Sequence, residues 1–84
     1  MATRTLKVRN PFLALERAEE LAEDRGVLLT SINLTLSTAS APLNDGGYGV
    51  IVYNDASSAS DSTRRNDNKR ILDAAYFTVS GSVR

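Results

Sequence analysis

The sequence predicts an α+β domain built on one four-stranded antiparallel sheet, with a long and a short helix on one face. Three observations predict this class. Several short stretches alternate apolar and polar residues, as half-buried strands do. One intervening segment repeats apolar residues every three or four positions, which is typical of an amphipathic helix. Turn-forming residues separate these stretches, and a length of 84 residues indicates a single domain, 1–84.

The first strand is predicted over TRTLKVR, near the N-terminus. Leu6 and Val8 alternate there with Thr5, Lys7 and Arg9. Successive residues of a strand point to opposite faces of the sheet. The two apolar residues are therefore expected to face the core and the other three to face outward.

The segment NPFLALERAEELAEDRG predicts the long helix. Asn10 is a good N-cap, Pro11 suits the first turn, and Gly26 suits the left-handed residue that ends a helix. The apolar stripe consists of Ala14, Leu15, Ala18, Leu21 and Ala22. The opposite face carries Glu16, Glu19, Glu20 and Glu23. Clustered carboxylates are able to hold a cation, but acids on an exposed helix lack desolvation, so we interpret them as a solvated face.

Three further strands are predicted from alternation. VLLTSINLTLST and YGVIVY form an antiparallel pair, with turn residues at Pro42 and Asp45–Gly46 between them. In the first of the two, alternation favours Ser31, Asn33 and Thr35 as the outward set. Near the C-terminus, YFTVSGSV sets Phe77, Val79 and Val83 against Tyr76, Thr78 and Ser80. This last stretch predicts the fourth strand.

Residues 54–70 contain no apolar side chain larger than alanine. The part from about 55 to 63 is too polar and too small to pack, which predicts a mobile loop. The part that follows predicts a short helix, since Asn66 or Asp67 suits its N-cap and a small apolar patch follows at Ile71, Leu72 and Ala75. With this second helix the order is βαββαβ, which is ferredoxin-like. The alternative is that RILDAAYFTV forms one long strand in a single-helix βαβββ sheet.

The amino-acid composition narrows the classes of function that the chain can have. The chain has no histidine and no cysteine, so the usual neutral-pH base, the usual zinc ligands and a thiolate nucleophile are all missing. We therefore expect no enzyme, no cofactor and no metal site. Ten basic and ten acidic residues balance, so any electrostatic binding must be local. There is no membrane-spanning apolar run and no signal-peptide pattern, which leads us to expect a cytoplasmic protein without membrane contact.

Two short motifs resemble those of the RNA-recognition-motif family. GGYGVIVY, Gly46 to Tyr53, is similar to the family's octapeptide, and LKVRNP, Leu6 to Pro11, is similar to its hexapeptide. The resemblance implies a four-stranded sheet with Tyr48 on its open face, where the family stacks a base. In this sequence Gly46 replaces the basic residue of the octapeptide, while Val50 and Lys7 replace two aromatic ones.

The candidate binding residues fall into two groups. The open sheet face is expected to carry Lys7, Arg9, Tyr48, Val50 and Tyr76. A basic cluster follows the predicted loop, at Arg64, Arg65, Lys69 and Arg70. Of these, Arg64 and Arg65 are expected to be exposed at the junction of loop and helix, available to an acidic partner.

These patterns favour a small non-enzymatic protein-interaction module of the adaptor or inhibitor type. Since small scaffolds without disulfides or metals often gain stability by association, we expect a homo-oligomer formed through the sheet face or an edge. The alternative is a reduced single-stranded RNA-binding domain that uses Tyr48, Lys7, Arg9 and the basic cluster.

Overall fold

A computed structural model describes residues 2–24, 26–36 and 47–83 of the chain. It is an α+β structure in the order β1, α1, β2, β3, α2. The elements span Ala2–Arg9 (β1), Pro11–Glu23 (α1), Leu28–Leu36 (β2), Gly47–Asp55 (β3) and Asp61–Val83 (α2). Within these residues the sheet has three antiparallel strands in the order β1-β3-β2, so β3 is central.

The two outer strands pair with β3 differently. All eight residues of β1 pair with β3 in unbroken register, from Ala2 opposite Asp55 to Arg9 opposite Tyr48. In β2 the register shifts between Leu29 and Ser31, which is a β-bulge. One outer strand is therefore regular and the other is interrupted.

Helix α1 begins as the sequence predicts. The Asn10 side chain accepts hydrogen bonds from the backbone N–H groups of Phe12 (2.8 Å) and Leu13 (3.3 Å), and Pro11 occupies the first turn. These bonds satisfy two of the N–H groups that the first turn of a helix leaves without a partner. Gly26, beyond the end of the helix, has a φ of +85°, which favours glycine.

The core lies between the helices and one face of the sheet. Its buried members are Ala18, Leu21, Val27, Leu29 and Ile51. Side chains from β1, β2, β3 and both helices pack around them, among them Leu6, Val8, Ile32, Tyr53, Ile71 and Leu72. Because α1 and α2 join the same cluster, both helices cover the same face. The predicted inward set of β1 is therefore confirmed.

Helix α1 lies very close to the central strand. A Cβ atom on Gly49 would come within 2.3 Å of the Ala14 Cβ and 2.9 Å of a Leu34 methyl group. Only a glycine on β3 and a small residue on α1 allow this approach. The Gly49–Ala14 contact thus sets how closely the helix layer meets the sheet.

The predicted fourth strand is wrong, and with it the four-stranded ferredoxin-like fold. Residues 61–83 form one helix of 23 residues, so the single-helix alternative is wrong as well. A strand would place Phe77 and Val79 on one face. In α2 the side chain of Val79 is 3% exposed while that of Phe77 is 79% exposed. Burial instead recurs at Asn68, Ala75 and Val79, at intervals of seven and four residues, which is helical.

The second helix exists but is not short. The N-cap predicted at Asn66 or Asp67 is wrong, because the helix starts at Asp61, which contributes an acidic side chain to the first turn. The connection after β3 is correspondingly brief, since β3 ends at Asp55. Within this connection the Ser57 N–H donates to the carbonyl of Gly26 at 2.6 Å. The predicted 55–63 loop therefore overlaps β3 at one end and α2 at the other.

Candidate functional site

One face of the sheet has no helix on it among the residues that the structure describes. The strand register assigns to this open face the residues that alternate with the core set. They are Thr3, Thr5, Lys7 and Arg9 on β1, Tyr48, Val50, Val52 and Asn54 on β3, and Leu28, Ser31, Asn33 and Thr35 on β2. The sequence-based choice of the polar set of β2 as outward is confirmed.

Four of the predicted site residues meet on this face. Tyr48 lies opposite Arg9 of β1, and Val50 lies opposite Lys7. The Lys7 ammonium nitrogen stands 4.3 Å from the centre of the Tyr48 ring, a cation–π contact. Tyr48 and Val50 are half-buried by their neighbours, whereas Lys7 and Arg9 are exposed. The result is a central apolar strip along β3 flanked by two cations on β1.

The open face is positive within a neutral protein. Lys7 and Arg9 belong to it, and none of its described residues is acidic. The acids of α1 lie instead on the exposed side of the helix, at Glu16, Glu19, Glu20 and Glu23. Of these, Glu20 accepts a hydrogen bond from Arg17 at 3.1 Å. Separation of charge onto different faces gives a binding surface a local field without any net charge.

Tyr76 does not belong to the open face. Because residues 61–83 are helical, Tyr76 lies on α2, where it is 61% exposed beside Phe77. The period-two pattern that placed it with Tyr48 came from reading a helix as a strand. The prediction that Tyr76 lies on the open sheet face is therefore wrong.

The predicted basic cluster is divided by the structure. The Arg64 side chain is only 13% exposed and donates hydrogen bonds to the carbonyl of Ala59 and to the carboxylate of Asp61. Arg65 and Lys69 are exposed on α2. Arg70 pairs with Asp67 at 3.7 Å. The prediction of an available Arg64 at a loop–helix junction is wrong, because the residue ties the first turn of α2 to the connection before it.

The outer edge of β1 presents backbone groups that no described segment pairs. The Asn10 N–H donates to the carbonyl of Gly47 at 3.1 Å, which marks this position as a hydrogen-bonded pair of the β1–β3 ladder. Such pairs alternate with non-bonded ones in an antiparallel ladder. Odd-numbered residues of β1, namely Thr3, Thr5, Lys7 and Arg9, therefore direct their N–H and C=O groups away from β3.

The Asp55 carboxylate binds the start of β1. Asp55 accepts hydrogen bonds from the Arg4 side chain at 2.5 Å and from the Ala2 N–H at 3.0 Å. The hydrogen bond from Arg4, followed by that from Ala2, lowers the pKa of Asp55 below its ordinary value. The same hydrogen bond raises the pKa of Arg4. Of the cations on β1, Arg4 is therefore already paired with Asp55. Its side chain lies on the face of the sheet that the helices cover.

The outer edge of β2 has a side-chain partner that the sequence did not reveal. Asn68, 4% exposed on α2, accepts from the Leu29 N–H at 2.8 Å and donates to the Val27 carbonyl at 3.1 Å. Its position in the helical stripe that also contains Ala75 and Val79 is the signal that could have identified it. A polar residue on an apolar stripe needs a partner in the core.

An open cleft of about 360 Å³ lies between the end of α1 and the start of α2. Its lining comprises Ala22, Glu23, Asp24, Val27, Asp61, Arg64, Arg65 and Asn68. The Arg64 guanidinium and the Asn68 amide are already committed to hydrogen bonds within the chain. The cleft is therefore lined by both acidic and basic side chains, with neither a thiol nor an imidazole among them.

Metal and membrane sites are not evident in the part of the chain that the structure describes. No three potential ligands there come together in an arrangement suited to a metal ion. Neither helix combines the length and the apolar character that crossing a bilayer requires.

Comparison of the chain with protein-family models, with curated proteins and with solved structures finds no match. The resemblance to the RNA-recognition-motif family stays a hypothesis, although the four-stranded sheet that it implies is not formed.

Proposed function

We propose that this chain is a small non-enzymatic protein-interaction module, of the adaptor or inhibitor type, that self-associates through its open sheet face. The observation that carries the proposal is the strip of Tyr48, Val50 and Val52 on the central strand, half-buried and not covered by either helix. An apolar strip bordered by polar and charged residues is typical of a contact surface.

A second copy fits this face in one particular orientation. Two sheets pack with their strand directions within about 30° of each other. A two-fold axis parallel to β3 places β1 of one copy over β2 of the other. Lys7 and Arg9 then meet the hydroxyl and amide groups of Ser31, Asn33 and Thr35 on β2. The apolar strips meet at the centre and like charges stay apart.

Sedimentation velocity over a range of concentrations tests the proposal. The wild-type chain is expected to form a dimer as its concentration rises. Val50→Lys places a cation at the centre of the apolar strip, the third on the open face, and is expected to leave a monomer at all concentrations. Ala74→Lys adds the same charge at an exposed position of α2 and is expected to dimerise as the wild type does. A wild-type chain that stays monomeric at the highest concentrations would contradict self-association.

Single-stranded RNA binding is the second candidate, favoured by the absence of acids among the described residues of the open face. Stacking a base on an aromatic ring contributes about 1–3 kcal/mol. The Lys7 ammonium, however, already occupies one side of the Tyr48 ring. RNA binding that weakens with salt and with Tyr48→Ala, and that strengthens with Val50→Lys, would support this candidate over the first.

A further inference from the structure

We infer that the outer edge of β1 binds an extended acidic segment of a partner protein, which adds to the sheet as an antiparallel fourth strand. The inference rests on the proposed function, since it names the partner chemistry of an interaction module. It concerns a different surface, the edge of the sheet instead of its face.

The first support is the regularity of β1. It has neither a proline nor a bulge over its eight residues, and its register with β3 is unbroken. Proteins protect such an edge with a bulge, a proline, charged side chains or a covering element, and among the described residues β1 has only the charged side chains. Addition of a strand to an open edge supplies backbone hydrogen bonds, while side chains at alternate positions supply specificity.

The second support is the position of the charges relative to the open backbone groups. Lys7 and Arg9 direct their backbone groups to the free edge, and their side chains lie on the open face. A residue directly opposite either one in an antiparallel strand has its side chain on the same face. Arg4, by contrast, lies on the other face and is paired with Asp55.

These two features specify the partner. Its docking segment is expected to be extended and to carry two carboxylates separated by one residue, so that they lie opposite Lys7 and Arg9. A second copy of β1 suits the edge less well, because it brings its own Lys7 and Arg9 and no acid.

The test measures binding of the full chain to fluorescent ten-residue peptides of threonine and valine with two glutamates. One peptide has the glutamates two positions apart, and its isomer has them adjacent, which puts them on opposite faces. We expect the first to bind at least three-fold more tightly than the isomer. Lys7→Glu is expected to abolish that preference. Equal binding of the two peptides, or none of either, would overturn the inference.

Backbone pairing is tested separately from charge. Thr5→Pro removes an outward N–H, which an edge strand tolerates, and is expected to weaken binding at least ten-fold. Thr5→Val keeps the N–H and is expected to bind as the wild type does.

Should the proline variant fail to fold, N-methylation of the peptide replaces it. Methyl groups on the two glutamate nitrogens should abolish binding, while a methyl group on the nitrogen of the single intervening residue should not. The opposite result would overturn the inference.

Val50→Lys separates this inference from the proposed function. It is expected to remove self-association and to keep binding of the acidic peptide. Loss of the dimer with retained peptide binding supports both proposals. A wild-type chain that binds the peptide but never dimerises contradicts only self-association. A dimer that binds neither peptide contradicts only the edge site.

Discussion

The two outer strands of the sheet meet their surroundings in opposite ways. β2 is interrupted by a bulge after Leu29, packs along α2, and has its first outward backbone groups satisfied by Asn68. β1 is regular, lies away from α2, and has no described partner on its outer side. The course of α2 accounts for the difference among the described residues, because this helix of 23 residues packs along β2 and forms no strand beside β1.

The largest effect on the free energy of unfolding is expected from Asn68→Leu, which removes the hydrogen bonds at the outer edge of β2. The substitution keeps the size of the side chain and leaves the Leu29 N–H and the Val27 carbonyl without a partner in a buried site. Each buried unsatisfied group costs about 1–3 kcal/mol, so we expect a loss of about 3 kcal/mol in the free energy of unfolding. Urea denaturation measures it.

Asn66→Leu provides the matched control for this change. It makes the same substitution two residues earlier in the same helix, at an exposed position. Surface substitutions of this kind usually change the free energy of unfolding by less than about 0.5 kcal/mol. If both variants lose the same amount, Asn68 does not have the role assigned to it. Hydrogen exchange should also show that Asn68→Leu loses protection mainly in β2 and α2, and much less in β1.

Gly49→Ala should destabilise both outer strands, because Gly49 lies on β3 between β1 and β2. The new methyl group would approach the Ala14 Cβ to 2.3 Å, so α1 must move away from the sheet. Overpacking of this kind costs about 1–3 kcal/mol, measured again by urea denaturation. We expect hydrogen exchange to show lost protection in β1 and β2 alike.

A second substitution checks the cause of that loss. Ala14→Gly removes the atom that the new methyl group meets, although glycine itself costs about 1 kcal/mol within a helix. The double variant is therefore expected to be more stable than the sum of the two single losses predicts. Simple additivity would show that the close approach of α1 to β3 is not the source of the destabilisation.

The smallest effect on stability is expected from Asp55→Asn, which removes the carboxylate that binds Arg4 and the Ala2 N–H at the start of β1. The pKa of Asp55 is lowered in the folded protein, so its carboxylate stabilises the fold above its unfolded pKa of about 3.9. That contribution is lost as the pH falls through the lower, folded-state pKa. The wild type should therefore exceed the variant in melting temperature at pH 7 and approach it in acid.

Asp73→Asn controls for the loss of one negative charge, since Asp73 is exposed on α2. At pH 7 it is expected to leave the hydrogen-exchange protection of β1 unchanged. Asp55→Asn should lower protection at Ala2 and its neighbours, where the strand begins. Equal protection in the two variants would show that the Arg4–Asp55 pair does not hold the end of β1 in place.

Local patterns of the sequence predicted the first part of the fold and failed at its end. β1, α1 and the outward set of β2 were predicted correctly, because a cap at Asn10 and strict alternation each have one interpretation. YFTVSGSV has two interpretations, since Ala75 and Val79 satisfy a helical spacing while Phe77 and Val79 satisfy a strand spacing. Tertiary burial decides between them, and local pattern does not contain that information.

The candidate site shows the same division. Lys7, Arg9, Tyr48 and Val50 were predicted together because they depend only on strand alternation and pairing. The fate of Arg64 depends on where α2 begins, and the role of Asn68 depends on which strand α2 covers. Neither fact is local to the residue concerned, so both required the structure.

The Asn68 side chain has a consequence for the size of any assembly. Its amide binds the carbonyl of Val27 and the N–H of Leu29, the two groups that one residue of a parallel strand would bind opposite Leu28. A sheet that is open at both edges can grow by repeated addition into a fibre. Here a single side chain takes the place of the next strand at the first residues of β2. A strand cannot be added beside these residues, whereas among the described residues the outer edge of β1 has no such side chain.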